Sequence, residues 1–288
     1  MDASVPQGLI ARQFPAWASL PIRPVARSGW DNHTFHLGTD LLIRLPSGAE
    51  YAAQVAKEQH WLPQLAPALP VAIPEPIAQG EADASFPYDW SVYRWLPGAA
   101  LTDASKVPAQ LPAQLATFLT ALQGIDSTGG PGYGEHNHQR GGPLAFYAAQ
   151  AEQAIAHLSE QSDTRWATSA MAAALASRNS PPDCWLHGDI APGNLLIGDT
   201  GLCGVIDFGL LAVGDPACDY AIAWTTFDTA QRATFRDALA VDKATWHRAR
   251  GWALWKALIV HAGLANGPPQ AAADAVTTLA AIREETEG

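Results

Sequence analysis

The chain has 288 residues, enough for one large or two modest domains, each with a real core. Its 17 Lys plus Arg against 28 Asp plus Glu give a net charge of −11, which disfavours nucleic acid, whose phosphates need a basic stripe. Three cysteines (Cys184, Cys203 and Cys218) without Cys-x-x-Cys spacing read as core filling, and no signal peptide or membrane-length apolar run is visible, so a cytoplasmic, reducing location and no membrane partner are expected.

Leu9, Ile10, Phe14 and Trp17 recur at roughly helical spacing and predict a short helical lead-in over residues 1–20, stopped by Pro21 and Pro24. Ser28-Gly29 predicts a tight turn, followed by one strand and then a second at 40–45. Arg44 lies in the apolar run Leu41-Leu42-Ile43-Arg44-Leu45, and a lone cation there needs an anion. The next helix, 51–61 and ended by Pro63, carries Glu58 as the favoured partner over a solvated Glu58, while Lys57 is expected in solvent. Residues 66–80 are proline-rich and read as extended and surface-lying; a strand over 89–96 follows, broken by Pro97-Gly98.

A helix over 110–123 places Leu111, Leu115, Phe118, Leu119 and Leu122 on one face, which reads as core. Residues 124–143 are glycine-rich, and so long a loop points to a substrate-facing role; His136 and His138 lack further metal ligands and read as exposed. Two Ala-rich helices, 144–159 and 164–177, precede Pro181-Pro182 and the strand that enters the segment 185–216. There Asp189, Asn194 and Asp207 stand out from an apolar background. Pro192 and Gly193 make the Asp189-to-Asn194 stretch a loop, and Asp199-Thr200-Gly201 predicts a hairpin that sets Asn194 and Asp207 side by side. Two hard oxygen donors with a third carboxylate upstream suit magnesium and a hydroxyl to be deprotonated; the plainer alternative is a buried hairpin with satisfied turn residues. Asp215-Pro216 marks a helix start. The last third is helical at 229–239, 245–264 and 270–285, with Trp246, Trp252 and Trp255 as core aromatics and Asp228, Asp242, Glu284 and Glu285 as solvated helix ends or contacts for an ammonium group.

The pattern His187-x-Asp189-x-x-x-x-Asn194 followed by Asp207-Phe208-Gly209 resembles the catalytic and metal loops of the protein-kinase-like superfamily. Gly188 stands where protein kinases usually carry Arg. With Gly214-Asp215-Pro216 and Asp219 downstream, the chain resembles the aminoglycoside phosphotransferase family, whose members phosphorylate hydroxyls of small molecules. That resemblance implies an α+β, two-lobed, protein-kinase-like fold. A small β-rich nucleotide-binding lobe would span residues 1–96, with a hinge at about 93–98, and a larger, mostly helical catalytic and substrate-binding lobe residues 97–288.

The resemblance also implies ATP or GTP as donor, Mg2+ held by Asn194 and Asp207, and Asp189 as the catalytic base. Arg44, paired with Glu58, would hold the phosphates. The hairpin lacks Gly-x-Gly-x-x-Gly, leaving the Ser28 hydroxyl and the amides around Gly29 as phosphate contacts. Tyr93, Arg94, Trp95 and Leu96 would form the connector whose backbone meets the base. His187 reads as a buttress, and Asp219 as a positional carboxylate bonded to backbone in the catalytic loop, beside the helix cap Asp215. An aminoglycoside-type antibiotic is the first choice of acceptor, because an acidic surface attracts polycations, and it implies a role in antibiotic resistance. A macrolide or a metabolite such as an amino alcohol or sugar stays open, as do the donor and the oligomeric state. A non-catalytic pseudokinase is the contrasting class, although no base or metal ligand is missing. A protein kinase is disfavoured because no Ala-Pro-Glu segment follows Asp207-Phe208-Gly209.

Overall fold

The computed structural model describes residues 1–26, 29–103, 106–160, 162–178, 182–265 and 270–287. Ser28 lies outside the described residues. The chain divides into two compact units, one of Met1–Gly98 with Cys203–Gly209, the other of Ala99–Leu202 with Leu210–Gly288. The architecture is α+β.

The first unit is built on a five-stranded antiparallel sheet in the order β1-β2-β3-β5-β4, from β1 (Ile22–Pro24), β2 (Asn32–Leu37), β3 (Leu41–Pro46), β4 (Pro76–Gly80) and β5 (Trp90–Arg94). Alternation sends Phe35, Leu37, Ile43, Leu45 and Val92 to one core, where Leu9 and Ile10 of α1 (Ser4–Gln13) join Phe86 and Trp90. Two expectations fail around prolines here. The lead-in helix ends at Gln13, ahead of Pro15, and residues up to Pro24, expected only to stop it, form β1. An edge strand needs no donor on its open side, so Pro24 is tolerated.

Helix α2 (Ala49–Leu65) runs through Pro63 rather than ending before it. Near a helix end Pro forfeits a single ladder bond, and the two flanking turns are anchored by the fully buried Leu62 and Leu65. The apolar face of α2 recurs at Val55, Glu58, Leu62 and Leu65, so Glu58 is carried inward with the core residues. The proline-rich segment is only partly surface: it includes β4 and the buried Ile73.

The second unit is mostly helical: α3 (Leu111–Gln123), α4 (Ala148–Ser159), α5 (Arg165–Ala176), α6 (Ile222–Thr225), α7 (Thr229–Leu239), α8 (Lys243–His261) and α9 (Ala271–Glu287). All five predicted core residues of α3 are fully buried. Helix α8 is the hub: it packs against α4, α5 and α9, and buries Trp246, Trp252 and Trp255. Its burial runs nearly all round, as an interior helix demands. Short strands frame the loops: β6 (Ala99–Ala100) pairs with β8 (Leu195–Gly198), and β7 (Cys184–Leu186) with β10 (Ala212–Gly214), while β9 (Gly201–Val205) crosses the division of the chain. Among the described residues no helix is long and apolar enough to cross a membrane.

Of the acidic residues expected at solvated helix ends, Asp228, Asp242 and Glu284 are exposed, and Glu285 is half-buried and engaged instead. Asp228 and Asp242 accept the N3 amides of α7 and α8 as N-caps. Glu285 accepts the indole N–H groups of Trp224 and Trp246 at 2.5 and 2.8 Å, which removes it as a free contact for an ammonium.

Candidate active site

In the first unit, register fixes Arg44. It sits on β3 opposite Thr34 and Ser91, its strand neighbours Ile43 and Leu45 fully buried. Its guanidinium bonds Glu58 through one nitrogen at 3.3 Å and Asp207 Oδ1 through the other at 2.7 Å. Burial works against the charge on Arg44, but the carboxylates of Glu58 and Asp207 outweigh it, so the pKa is raised and the cation is fixed. The Tyr93 hydroxyl donates to Glu58 within the same buried cluster, and burial, then Glu58, push that hydroxyl's pKa well above 10.

Asp207 has φ +70°, a left-handed conformation that costs a non-glycine residue about 1 kcal/mol or more. Its Oδ2 has no partner among the described residues, and the side chain is 30 % exposed. Two residues later, a Cβ on Gly209 would lie 2.6 Å from the end of the buried Gln54 side chain, which would have to shift to admit it.

Lys57 corrects the expectation of a solvated ammonium: it donates to the Gly209 carbonyl at 2.6 Å. Burial lowers its pKa to about 8 against the opposing pull of Glu58. The segment after Asp207 is therefore tied to α2 by Lys57 and lies close against Gln54 at Gly209.

Of the other residues expected at the nucleotide, Gly29 has open space where a Cβ would stand, and the next residue, Trp30, is 80 % exposed. The connector is less free than expected. Tyr93 is buried in β5, the Arg94 amide donates to the Glu75 carbonyl, and the Trp95 amide to that of Asp40. Arg94 pairs with Glu75 in solvent, Trp95 packs on His36, and Leu96 is half-buried.

In the second unit, the β7–β10 ribbon delivers both ends of the loop region: β7 runs into His187-Gly188-Asp189, and β10 into Asp215. Asp219 is fully buried and accepts the amides of His187 and Gly188 at 2.7 and 2.8 Å. Burial raises its carboxyl pKa, opposed by His187 and by those two amides, so the bonds stabilise the ionised form. His187, also fully buried, accepts the Asp189 amide on Nδ1 at 3.1 Å.

Gly188 has φ +86°, and a Cβ there would sit 2.5 Å from the Leu210 carbonyl oxygen. That is why glycine, and no arginine, follows His187 in this chain. Asn194 ends the 3₁₀ turn Pro192–Asn194 and donates its amide to the Asp189 backbone at 2.9 Å and carboxylate at 3.2 Å. With its nitrogen so committed, its Oδ1 is left without a partner among the described residues and is a hard donor suited to Mg2+, as is Asp207 Oδ2.

Three residues with structural roles here carry no signal in the sequence. Arg248 of α8 bonds Asp215 through two nitrogens at 2.5 and 3.2 Å, both side chains buried, while Asp215 caps the following 3₁₀ helix through the Ala217 amide. Asn137, fully buried, ties the glycine-rich loop by accepting from the Gly134 amide and donating to the Arg140 and Leu210 carbonyls. Lys256, also on α8, lies within electrostatic range of Asp189. His136 bonds the Gly132 carbonyl in its own loop. Cys184 and Cys218 have thiols made less acidic by burial, Cys184 to about 12.

The chain matches the model of the phosphotransferase enzyme family over residues 22–252. No curated protein matches it by sequence. Among solved structures it is similar to the GDP complex of aminoglycoside 2'-phosphotransferase-IIIa, at TM-score 0.76 and 19% identity over 99% of both chains. It is also similar to the apoenzyme of a macrolide 2'-phosphotransferase from Brachybacterium faecium, at TM-score 0.63 and 22% identity over 96% of this chain and 98% of that one. These likenesses carry the fold, and the family model spans most of the sequence: the chain belongs to the phosphotransferase enzyme family and has its protein-kinase-like fold.

Proposed function

We propose that the protein moves the γ-phosphate of ATP or GTP to a hydroxyl of a small molecule, with Asp189 as the base. The observation that carries this reading is the loop around Asp189: Asp219 pins the two amides before it, and Asn194 holds its carboxylate. A carboxylate fixed in that way can accept a hydrogen bond from an alcohol and aim its oxygen in line with the donor phosphorus. As the oxygen–phosphorus bond forms and the bond to the nucleoside diphosphate breaks, the alcohol proton passes to Asp189. Arg44 would stabilise charge on the phosphates, with Glu58 and Tyr93 keeping its guanidinium in place. Asn194 Oδ1 and Asp207 Oδ2 would hold Mg2+, which when bound neutralises charge on the phosphate oxygens. The lobe of Arg44 would thus be the nucleotide side and that of Asp189 the acceptor side.

The net charge and the relatives crystallised with kanamycin, gentamicin or streptomycin favour an aminoglycoside acceptor. A panel of aminoglycosides, macrolides, amino alcohols and hydroxy acids, tested with both nucleotides for diphosphate release, identifies the acceptor class. Asp189→Ala should lower turnover by about 10²–10⁴ and leave nucleotide binding near normal. Asp207→Ala should lose Mg2+-dependent nucleotide binding. Wild-type turnover in Asp189→Ala would remove the base from the scheme.

A further inference from the structure

Three side chains of α2 converge on the segment Asp207-Phe208-Gly209, and helix and segment belong to the same unit. Gln54, Lys57 and Glu58 stand at i, i+3 and i+4 and so share one face of the helix. Glu58 reaches Asp207 through Arg44, which bonds both carboxylates. Lys57 donates to the Gly209 carbonyl at 2.6 Å, and Gln54 lies close against Gly209. Phe208, between these contacts, is fully buried. The segment is thus held by its first side chain at one end and by its backbone at the other.

Each of these contacts carries a local cost. Asp207 keeps a φ of +70°, which glycine adopts far more easily. Gln54 Oε1 is buried and accepts from no described residue, while the amide nitrogen donates to Asp31 at 3.4 Å. Lys57 is half-buried, and desolvation, opposed by Glu58, disfavours its charge. Stability does not explain these choices, since glycine at 207 would avoid the strain and methionine at 57 the desolvated ammonium. Strain gathered on so few residues persists where it sets the geometry of a site. What it sets here is the direction of Asp207. With Oδ1 bonded to Arg44, the aim of Oδ2 follows from the peptide groups next to it, and Lys57 fixes the one at Gly209.

Resting on the phosphotransferase reading above, we propose that Lys57 is a positioning residue for the divalent cation that accompanies the nucleotide: by holding the Gly209 carbonyl it keeps Asp207 Oδ2 turned to the metal. Lys57 acts through the backbone alone, and its counterpart on the side chain of Asp207 is Arg44.

The test is isothermal titration calorimetry of the full chain with ATP and with GTP, each in Mg2+ and again in EDTA. It compares the wild type with Lys57→Met, Lys57→Arg and Asp207→Ala, and a melting temperature is taken for each. Lys57→Met should weaken nucleotide binding about tenfold in Mg2+ and leave the metal-free affinity within about twofold of wild type. A lysine that only held the fold together would lower both alike. Lys57→Arg still offers the carbonyl a charged donor and should restore most of the Mg2+-dependent affinity.

Binding of Mg2+-nucleotide by Lys57→Met within about twofold of wild type, an equal loss with and without Mg2+, or no recovery in Lys57→Arg overturns the proposal. A melting temperature of Lys57→Met more than about 10 °C below wild type makes the lysine structural and overturns it too. Asp207→Ala marks the separate failure. If that variant binds both nucleotides in Mg2+ as the wild type does, the metal assignment of the phosphotransferase reading falls, and the role of Lys57 with it.

Discussion

Replacing Arg248 by Met tests what holds the catalytic loop region to α8. The Arg248–Asp215 pair is bidentate and both side chains are at least nine-tenths buried. Arg248 also donates to the Arg178 carbonyl at 2.7 Å and to the Thr245 hydroxyl at 3.1 Å. A surface pair of this kind would contribute at most about 1 kcal/mol. Here the loss strands a buried Asp215 carboxylate and leaves the Arg178 carbonyl without that donor, so Arg248→Met should cost about 3–5 kcal/mol. For a unit of this size that is a fall in melting temperature of about 6–20 °C. The assay is thermal unfolding followed by near-ultraviolet circular dichroism, to which the buried tryptophans of α8 contribute. Adding Asp215→Asn should recover part of the loss, because Asn still caps the Ala217 amide but carries no charge to strand. A single variant that loses less than about 1 kcal/mol, or a double variant no more stable than the single one, would refute the argument.

Gly188→Ala should destabilise the second unit by about 2–5 kcal/mol, from a left-handed φ and overlap with the Leu210 backbone, and a melting temperature within a degree of wild type would count against it. Lys57 gives a pH signature in the first unit. Its folded pKa of about 8 lies below the unfolded value near 10.5, so between those limits the unfolded chain binds more protons, and this group makes stability rise with pH. Denaturant titrations at pH 8 and pH 10 should show that rise against other groups common to both proteins, and it should be smaller in Lys57→Met; an identical pH dependence would contradict it.

The parts of the fold legible in the sequence are those set by short-range pattern. One face of α3 announces itself through five apolar residues, and Arg44 in an apolar strand demands an anion within reach, which Glu58 supplies. Partners far along the chain left no such trace. Lys57 is a surface-type residue beside Glu58 until the Gly209 carbonyl arrives from 152 positions away. Glu285 and Arg248 are typical helix charges until the indoles of Trp224 and Trp246 and the Asp215 carboxylate meet them. Proline misled in both directions, because its cost depends on whether the missing donor had an acceptor: none was needed at the β1 edge, and only one bond was lost at Pro63.

Asp219 grips the peptide groups of His187 and Gly188 from a short helical segment whose first turn is capped by Asp215, and Asp215 is bonded in turn to Arg248 of α8. The loop around Asp189 thus hangs from the hub helix at second hand. Repacking α8 reaches that loop along two buried carboxylates, with no residue of the loop itself exchanged.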